Sequence, residues 1–183
     1  MDAASDAELM VGIQAGDRAA FGALVARHQD GVLTYLARLT GERARAEDLA
    51  QDTFLRVWRQ AGAGYQERGR LRAYLLKVAT RLALTELRRE ARRRWLARLW
   101  LGNGDGHAAV GPPEDGGEVQ RAIRAGLQGL PARLRAPLLL VELEGLSCGE
   151  AGVALGVRVG TVKSRIHRAR AALAQALGPL LER

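Results

Sequence analysis

The sequence predicts an all-α protein of two small helical domains joined by a flexible linker, the second ending in a helix-turn-helix. Three observations predict it. Apolar residues recur at spacings of three and four along most of the chain, and no alternating strand pattern competes. A Gly- and Pro-rich stretch without helical period, Leu101-Gly-Asn-Gly-Asp-Gly-His-Ala-Ala-Val-Gly-Pro-Pro-Glu-Asp-Gly-Gly117, interrupts that pattern once. Downstream, Ser147, Glu150 and Gly156 punctuate two helices around a tight turn. The implied division is a helical domain over 1–98, an acidic linker over 99–118 and a helix-turn-helix domain over 119–183.

Each element has a local reason. A short first helix spans about Asp6 to Ala15. Asp17 caps a second, whose stripe Phe21, Leu24, Val25, His28, Val32, Leu36 and Leu39 ends near Gly41. A third, about Arg45 to Gln60, turns Ala46, Leu49, Ala50, Phe54 and Val57 inward. Its other face carries Glu47, Asp48, Gln51, Asp52, Arg56 and Arg59. After a loop holding Gly62, Gly64 and Gly69, a long fourth helix runs from about Arg70 past Arg94, with Leu71, Leu75, Val78 and Leu82 on its buried side. Beyond the linker come a helix near 118–129 and one that starts with Pro131 as its first residue. Ser147 and Glu150 form a capping box that opens a short helix over 148–155, and Gly156 sits where a left-handed residue closes it.

The last helix, from about Val159, separates two chemistries. Val159, Val162, Ile166, Ala169 and Leu173 make an apolar stripe. Thr161, Ser164, Arg165 and Arg168 fall on the far side, flanked by Lys163, His167 and Arg170. Arg can bond guanine bidentately, hydroxyls suit phosphate or base edges, and the other cations neutralise phosphates. A basic face alone could be solvated surface. Following a short helix and a three-residue turn, it has the geometry of a recognition helix for the DNA major groove.

Charge is distributed to the same end. The net +8 of the 183 residues is uneven. Residues 67–98 hold 11 basic and 3 acidic residues, residues 121–183 hold 10 and 4, and residues 99–120 carry 4 acids and no cation. Two basic blocks on an acidic tether suggest two nucleic-acid contacts. Hydrophobic content of 48% suffices for packed cores, but only 8 aromatics are present, so those cores rest on Leu, Ala and Val. No run approaches the ~18 apolar residues of a membrane span. The acidic N-terminus is unlike a secretory signal, and the lone Cys148 has no internal disulfide partner, so a reducing cytoplasm is the expected location. Of the 28 basic residues only Lys77 and Lys163 are lysines, a ratio read as coding bias.

Three blocks resemble a known family. Asp48-Leu-Ala-Gln-Asp-Thr-Phe-Leu-Arg-Val-Trp58 is similar to the polymerase-binding helix of extracytoplasmic-function (ECF) sigma factors, the compact two-domain branch of the sigma-70 family. Leu71-Arg-Ala-Tyr-Leu-Leu-Lys-Val-Ala-Thr-Arg-Leu-Ala-Leu-Thr-Glu-Leu-Arg-Arg89 resembles their promoter-melting helix. Leu130-Pro131 through Leu143-Glu-Gly-Leu-Ser147 and Gly160-Thr-Val-Lys-Ser-Arg-Ile-His-Arg-Ala-Arg170 resemble their −35-binding domain. The resemblance covers most of the chain outside the linker. It implies a non-catalytic subunit that docks on RNA polymerase core, directs it to promoters and helps open them.

On that resemblance, Asp48, Gln51, Asp52 and Arg56 would grip the β′ coiled coil of the polymerase. Arg72, Tyr74, Lys77, Arg81, Thr85, Arg88 and Arg89 would meet the −10 element, with Arg92 and Arg93 as further cations. Family members flip a non-template base there. Thr161, Lys163, Ser164, Arg165, His167, Arg168 and Arg170 would read the −35 element. The partners implied are polymerase core, promoter DNA and an anti-sigma factor; the linker would lie near the polymerase active site. By residue chemistry alone, the third helix's polar face could equally be solvated surface, Arg88–Arg94 a plain helix end, and the linker a spacer.

Some positions depart from the family pattern. Arg81 stands where an Asn usually faces the flipped base, Thr85 where an Asp commonly follows, and Tyr74 where Trp is usual. Arg and Thr lack an amide's paired donor and acceptor, so the −10 preference is expected to be altered or relaxed. Arg158 replaces the Ser or Thr cap of the recognition helix, at about 1 kcal/mol. Gly152 replaces a better helix former, at up to ~1 kcal/mol.

Two other function classes remain open to the sequence. A DNA-binding regulator could use the helix-turn-helix without engaging polymerase, in which case the third helix's acids only cover a core. A hydrolase or transferase could use Cys148 or one of His28, His107 and His167, but no phosphate loop or metal-ligand spacing accompanies them. No enzyme activity, catalytic residue, metal, cofactor or small-molecule substrate is expected. A nonspecific basic nucleoid protein leaves the helix-turn-helix unexplained.

Overall fold

A computed structural model of the chain describes residues 4–64, 71–101 and 117–181; among these the backbone is helix and turn, with no strand. Residues 102–116, the larger part of the expected linker, and His107 lie outside the described residues. So do Arg70 and Gly69 at the entry to the fourth helix.

The N-terminal half has four helices, α1 (Asp6–Gln14), α2 (Arg18–Thr40), α3 (Arg43–Gly64) and α4 (Leu71–Leu101). Local chemistry explains their ends. The Ser5 side chain accepts from the Glu8 N–H while the Glu8 carboxylate accepts from Ser5, a reciprocal cap on α1. The Asp17 carboxylate accepts from the N–H groups of Ala19 and Ala20 at the start of α2. Gly41 closes α2 at φ 83°, a left-handed value that suits glycine. The expected inner face of α3 is buried and its expected outer face exposed throughout. A buried Tyr35 hydroxyl 2.7 Å from the Thr80 hydroxyl ties α2 to α4, and Phe21 packs on Trp58 with ring centroids 5.0 Å apart. His28 is explained by its neighbour: its Nε2 lies 3.1 Å from both Asp6 carboxylate oxygens.

The C-terminal half consists of α5 (Glu118–Gly129), α6 (Ala132–Leu138), a π-helical turn (Leu139–Leu143), α7 (Cys148–Leu155) and α8 (Val159–Leu181). Pro131 is the residue before α6 and not its first, and its carbonyl accepts from Leu134 and Arg135 at 2.8 and 3.0 Å. Pro137 inside α6 has no N–H to give. The chain widens into the π turn directly after it, and Glu144 N–H reaches Leu139 O at 3.1 Å.

The buried residues of the two halves meet in one continuous cluster. Leu39, Leu71 and Leu75 of the first half share it with Leu139, Leu140 and Ala151 of the second, and α4 packs along α7. Polar bonds seal this joint. The orphan carbonyls at the C-terminus of α2 accept from the other half: Arg38 O from Gln128 Nε2 at 2.9 Å, and Leu39 O from Arg135 at 2.9 Å. The same Arg135 guanidinium also donates to Leu130 O at 2.9 Å, Gln128 O at 3.1 Å and the Gln128 side-chain oxygen. Only 8% exposed, it has no carboxylate partner among the described residues, and burial pushes its pKa down to about 10.

Candidate nucleic-acid and polymerase interface

The helix-turn-helix is built from the bonds its sequence implies. Ser147 Oγ accepts from Glu150 N–H at 3.2 Å, and the Glu150 carboxylate accepts from Ser147 N–H at 2.9 Å. Gly156 adopts φ 67°, ψ 36° and its N–H returns to Gly152 O. Gly152 itself corrects the expectation of a merely poor helix former. A Cβ placed there would lie 2.9 Å from the backbone carbonyl of Val157 in the turn. The glycine lets the turn fold back onto α7. Gly152→Ala should therefore destabilise the domain by about 1–3 kcal/mol, against the ~1 kcal/mol gain that helix propensity alone would give. Thermal unfolding of the two proteins checks the sign.

On α8, Val162, Ile166 and Ala169 are buried and Leu173 half-buried. Val159, expected in that stripe, is 43% exposed, because it occupies the first turn at the edge of the buried arc. The outward side presents Lys163, Ser164, His167, Arg168 and Arg170 exposed, with Thr161 and Arg165 half-buried beside them. Arg170 is committed: it pairs with Glu142 of the π turn at 2.5 Å and anchors α8. Ser164 donates its hydroxyl to Thr161 O at 3.1 Å, leaving its lone pairs to accept. Lys163, Arg165 and Arg168 have no ion-pair partner among the described residues.

A cleft of about 600 Å³ opens between α3 and α4. Tyr74, Lys77, Arg81, Thr85 and Arg89 line it from α4, and Asp52, Arg56 and Gln60 from α3. Two sets of residues read separately in the sequence thus line one cleft. Burial pushes the Tyr74 hydroxyl pKa up, against the pull of the Arg56 charge. Thr85 donates to Arg81 O at 2.7 Å, so toward the cleft its oxygen can only accept. An aromatic face, several guanidinium and ammonium donors and a hydroxyl acceptor suit an unstacked base and its phosphate.

The other expected site residues stand apart. Asp48 and Gln51 are exposed on α3 outside the cleft, on the same outer face as Asp52 and Arg56. Arg88 is exposed on α4 but is not among the residues lining the cleft. Arg72 is not among the residues lining the cleft: it donates to Glu144 O and to the Glu144 carboxylate, both at 2.5 Å, and ties α4 to the second half. Glu144 is 7% exposed; burial pushes its pKa up, opposed by the charges of Arg72 and Arg38. No local signal marked Arg72, because its partner is 72 residues away. Cys148 is half-buried at the start of α7. Among the described residues no group of three or more His, Cys, Asp or Glu side chains could hold a metal ion, and no helix is long and apolar enough to cross a membrane.

Comparison with known proteins matches both halves. Residues 24–93 match the family model for sigma-70 region 2, and residues 120–173 that for sigma-70 region 4. The chain is 37% identical over 180 residues to the ECF RNA polymerase sigma factor SigM of Mycobacterium tuberculosis, covering 96% of this chain and 86% of that one. It is 31% identical over 185 residues to the RNA polymerase sigma-H factor of Pseudomonas aeruginosa, covering 96% and 95%. Against the ECF sigma factor SigE of Mycolicibacterium smegmatis it is 39% identical over 85% of this chain, but spans only 62% of that protein's length.

Among solved structures, CnrH in complex with the cytosolic domain of CnrY superposes with a TM-score of 0.64 at 25% identity, over 93% of this chain and 96% of that one. The sigma factor RpoE, in complex with the anti-sigma factor NepR from Bartonella quintana, shares the fold with a TM-score of 0.71 at 24% identity, over 86% and 96%. With both regions matched in order and relatives aligned nearly end to end, the chain belongs to the ECF branch of the sigma-70 family of RNA polymerase sigma factors.

Proposed function

We propose that this sigma factor binds RNA polymerase core through the outer face of α3, holds the opened −10 element in the α3–α4 cleft and reads the −35 element with α8. Residues 1–98 carry the first two tasks, 119–183 the third, and 99–118 connect them. The observation that carries the reading is the outward face of α8. Lys163, Arg165 and Arg168 stand there without ion-pair partners among the described residues, on a helix held by the buried Val162 and Ile166 and by the Arg170–Glu142 pair. Binding without polymerase is not favoured, since the region 2 match takes in α3 and most of α4. The proposed partners are core polymerase, promoter DNA and an anti-sigma factor, the cytoplasm is the proposed location, and the role is that of an initiation factor without catalysis of its own.

Run-off transcription and co-purification with core polymerase test the proposal. Asp48 is the discriminating position, being on the α3 outer face but outside the cleft. Asp48→Lys is expected to weaken core association by at least about 2 kcal/mol, roughly thirtyfold, because a reversed charge meets like charge on the partner. Promoter binding by the α8 domain should be unaffected. Unchanged co-purification would remove α3 from the polymerase interface.

A further inference from the structure

The free end of α4 carries a feature that core packing does not explain. Residues 91–96 are all exposed, and Trp95 shows 60% of its surface to solvent. The arginines around it sort into two sets. Glu86 holds Arg93 at 2.8 Å and Arg89 at 3.9 Å, while Glu90 pairs with Arg94 and with Arg45 of α3. Arg88 and Arg92 have no partner among the described residues.

Helical geometry places Arg88 and Arg92 in line with residues of the cleft. Tyr74, Lys77, Arg81, Arg88, Arg92 and Trp95 fall within about 60° of one another around the helix, along about 30 Å of its axis. The line begins on an aromatic ring in the cleft, passes four cations and ends on an aromatic ring clear of the bundle. We propose that this face of α4 is a track for one extended strand of DNA, and that Trp95 stacks a base beyond the cleft. The proposal rests on reading the cleft as the −10 site and adds a second base-stacking position to it. A melted strand exposes its base faces to an indole, whereas a duplex offers mainly phosphates. Trp95 therefore selects the open strand.

The test uses holoenzyme assembled from the full chain and core polymerase, with labelled single-stranded promoter DNA followed by anisotropy. An oligonucleotide of about four nucleotides matching the −10 element is compared with versions of about ten, extended on the 5′ or the 3′ side. One extension is expected to raise affinity. Trp95→Ala should then lower that affinity roughly five- to a hundredfold, leave the short oligonucleotide unchanged and be rescued by Trp95→Phe. No gain from either extension, or an unchanged long-oligonucleotide affinity in Trp95→Ala, overturns the proposal. So does an equal loss on duplex DNA, which would mean a phosphate-side contact. Arg81→Ala separates the two levels: if it weakens both lengths while Trp95→Ala weakens neither, the cleft reading stands and the stacking position falls. If neither substitution matters, both fall.

Discussion

Replacing Arg165 and Arg168 together by alanine is expected to weaken promoter binding by about 2–6 kcal/mol, from roughly thirtyfold to twenty-thousandfold, if each guanidinium reads a base edge. Arg168 stands exposed on the outward face of α8 and Arg165 half-buried at its margin, neither in an ion pair among the described residues. Both can meet DNA without first giving up an internal bond. Fold stability should change by less than about 0.5 kcal/mol, as for ordinary surface positions. Titration against promoter variants separates base from phosphate contacts. A base contact concentrates the loss on one sequence. A phosphate contact weakens all sequences alike and makes the log–log salt slope shallower by about 1. Equal promoter affinity in the double variant would remove α8 from the major groove.

Arg135→Ala is expected to lower stability by about 3 kcal/mol, and the unfolding midpoint of a chain of this size by roughly 6–12 °C. Its guanidinium donates to three main-chain carbonyls and one side-chain amide oxygen in a site only 8% exposed. Truncation leaves these acceptors dry and unpaired, each costing on the order of 1 kcal/mol or more. Relief of the charge's own burial offsets part of that loss, since the guanidinium pKa stands lowered to about 10. Arg135→Met keeps the stem's volume but supplies no donor, so it should recover packing and little else. Urea unfolding of the three proteins checks the order, and a stable Arg135→Ala would mean water satisfies the carbonyls.

The helix-turn-helix was legible because its determinants are local. Ser147, Glu150 and Gly156 act within one or two turns, and the three-and-four spacing of α3 and α8 reports which face is buried. The boundaries of α2 followed from Asp17 and Gly41 in the same way. What stayed hidden depends on residues far apart in the chain. Gln128 and Arg135 satisfy α2 from 90 and 96 residues away, and Arg72 finds Glu144 across 72. Gly152 is required by a carbonyl that approaches only once the turn has folded. Asp52 and Arg56 joined the cleft through the packing of α3 on α4, which periodicity does not reveal. Trp95 was within reach of the sequence: subtracting the arginines that Glu86 and Glu90 neutralise leaves it in register with Arg88 and Arg92.

The near-absence of lysine has a practical side. The chain's two ε-amines are Lys77, inside the α3–α4 cleft, and Lys163, on the outward face of α8. An amine-reactive label thus meets one side-chain target in each half, the first half-buried and the second open to solvent. Peptide mapping resolves the two adducts, so one wild-type sample reports occupancy at both ends of the molecule without any engineered probe.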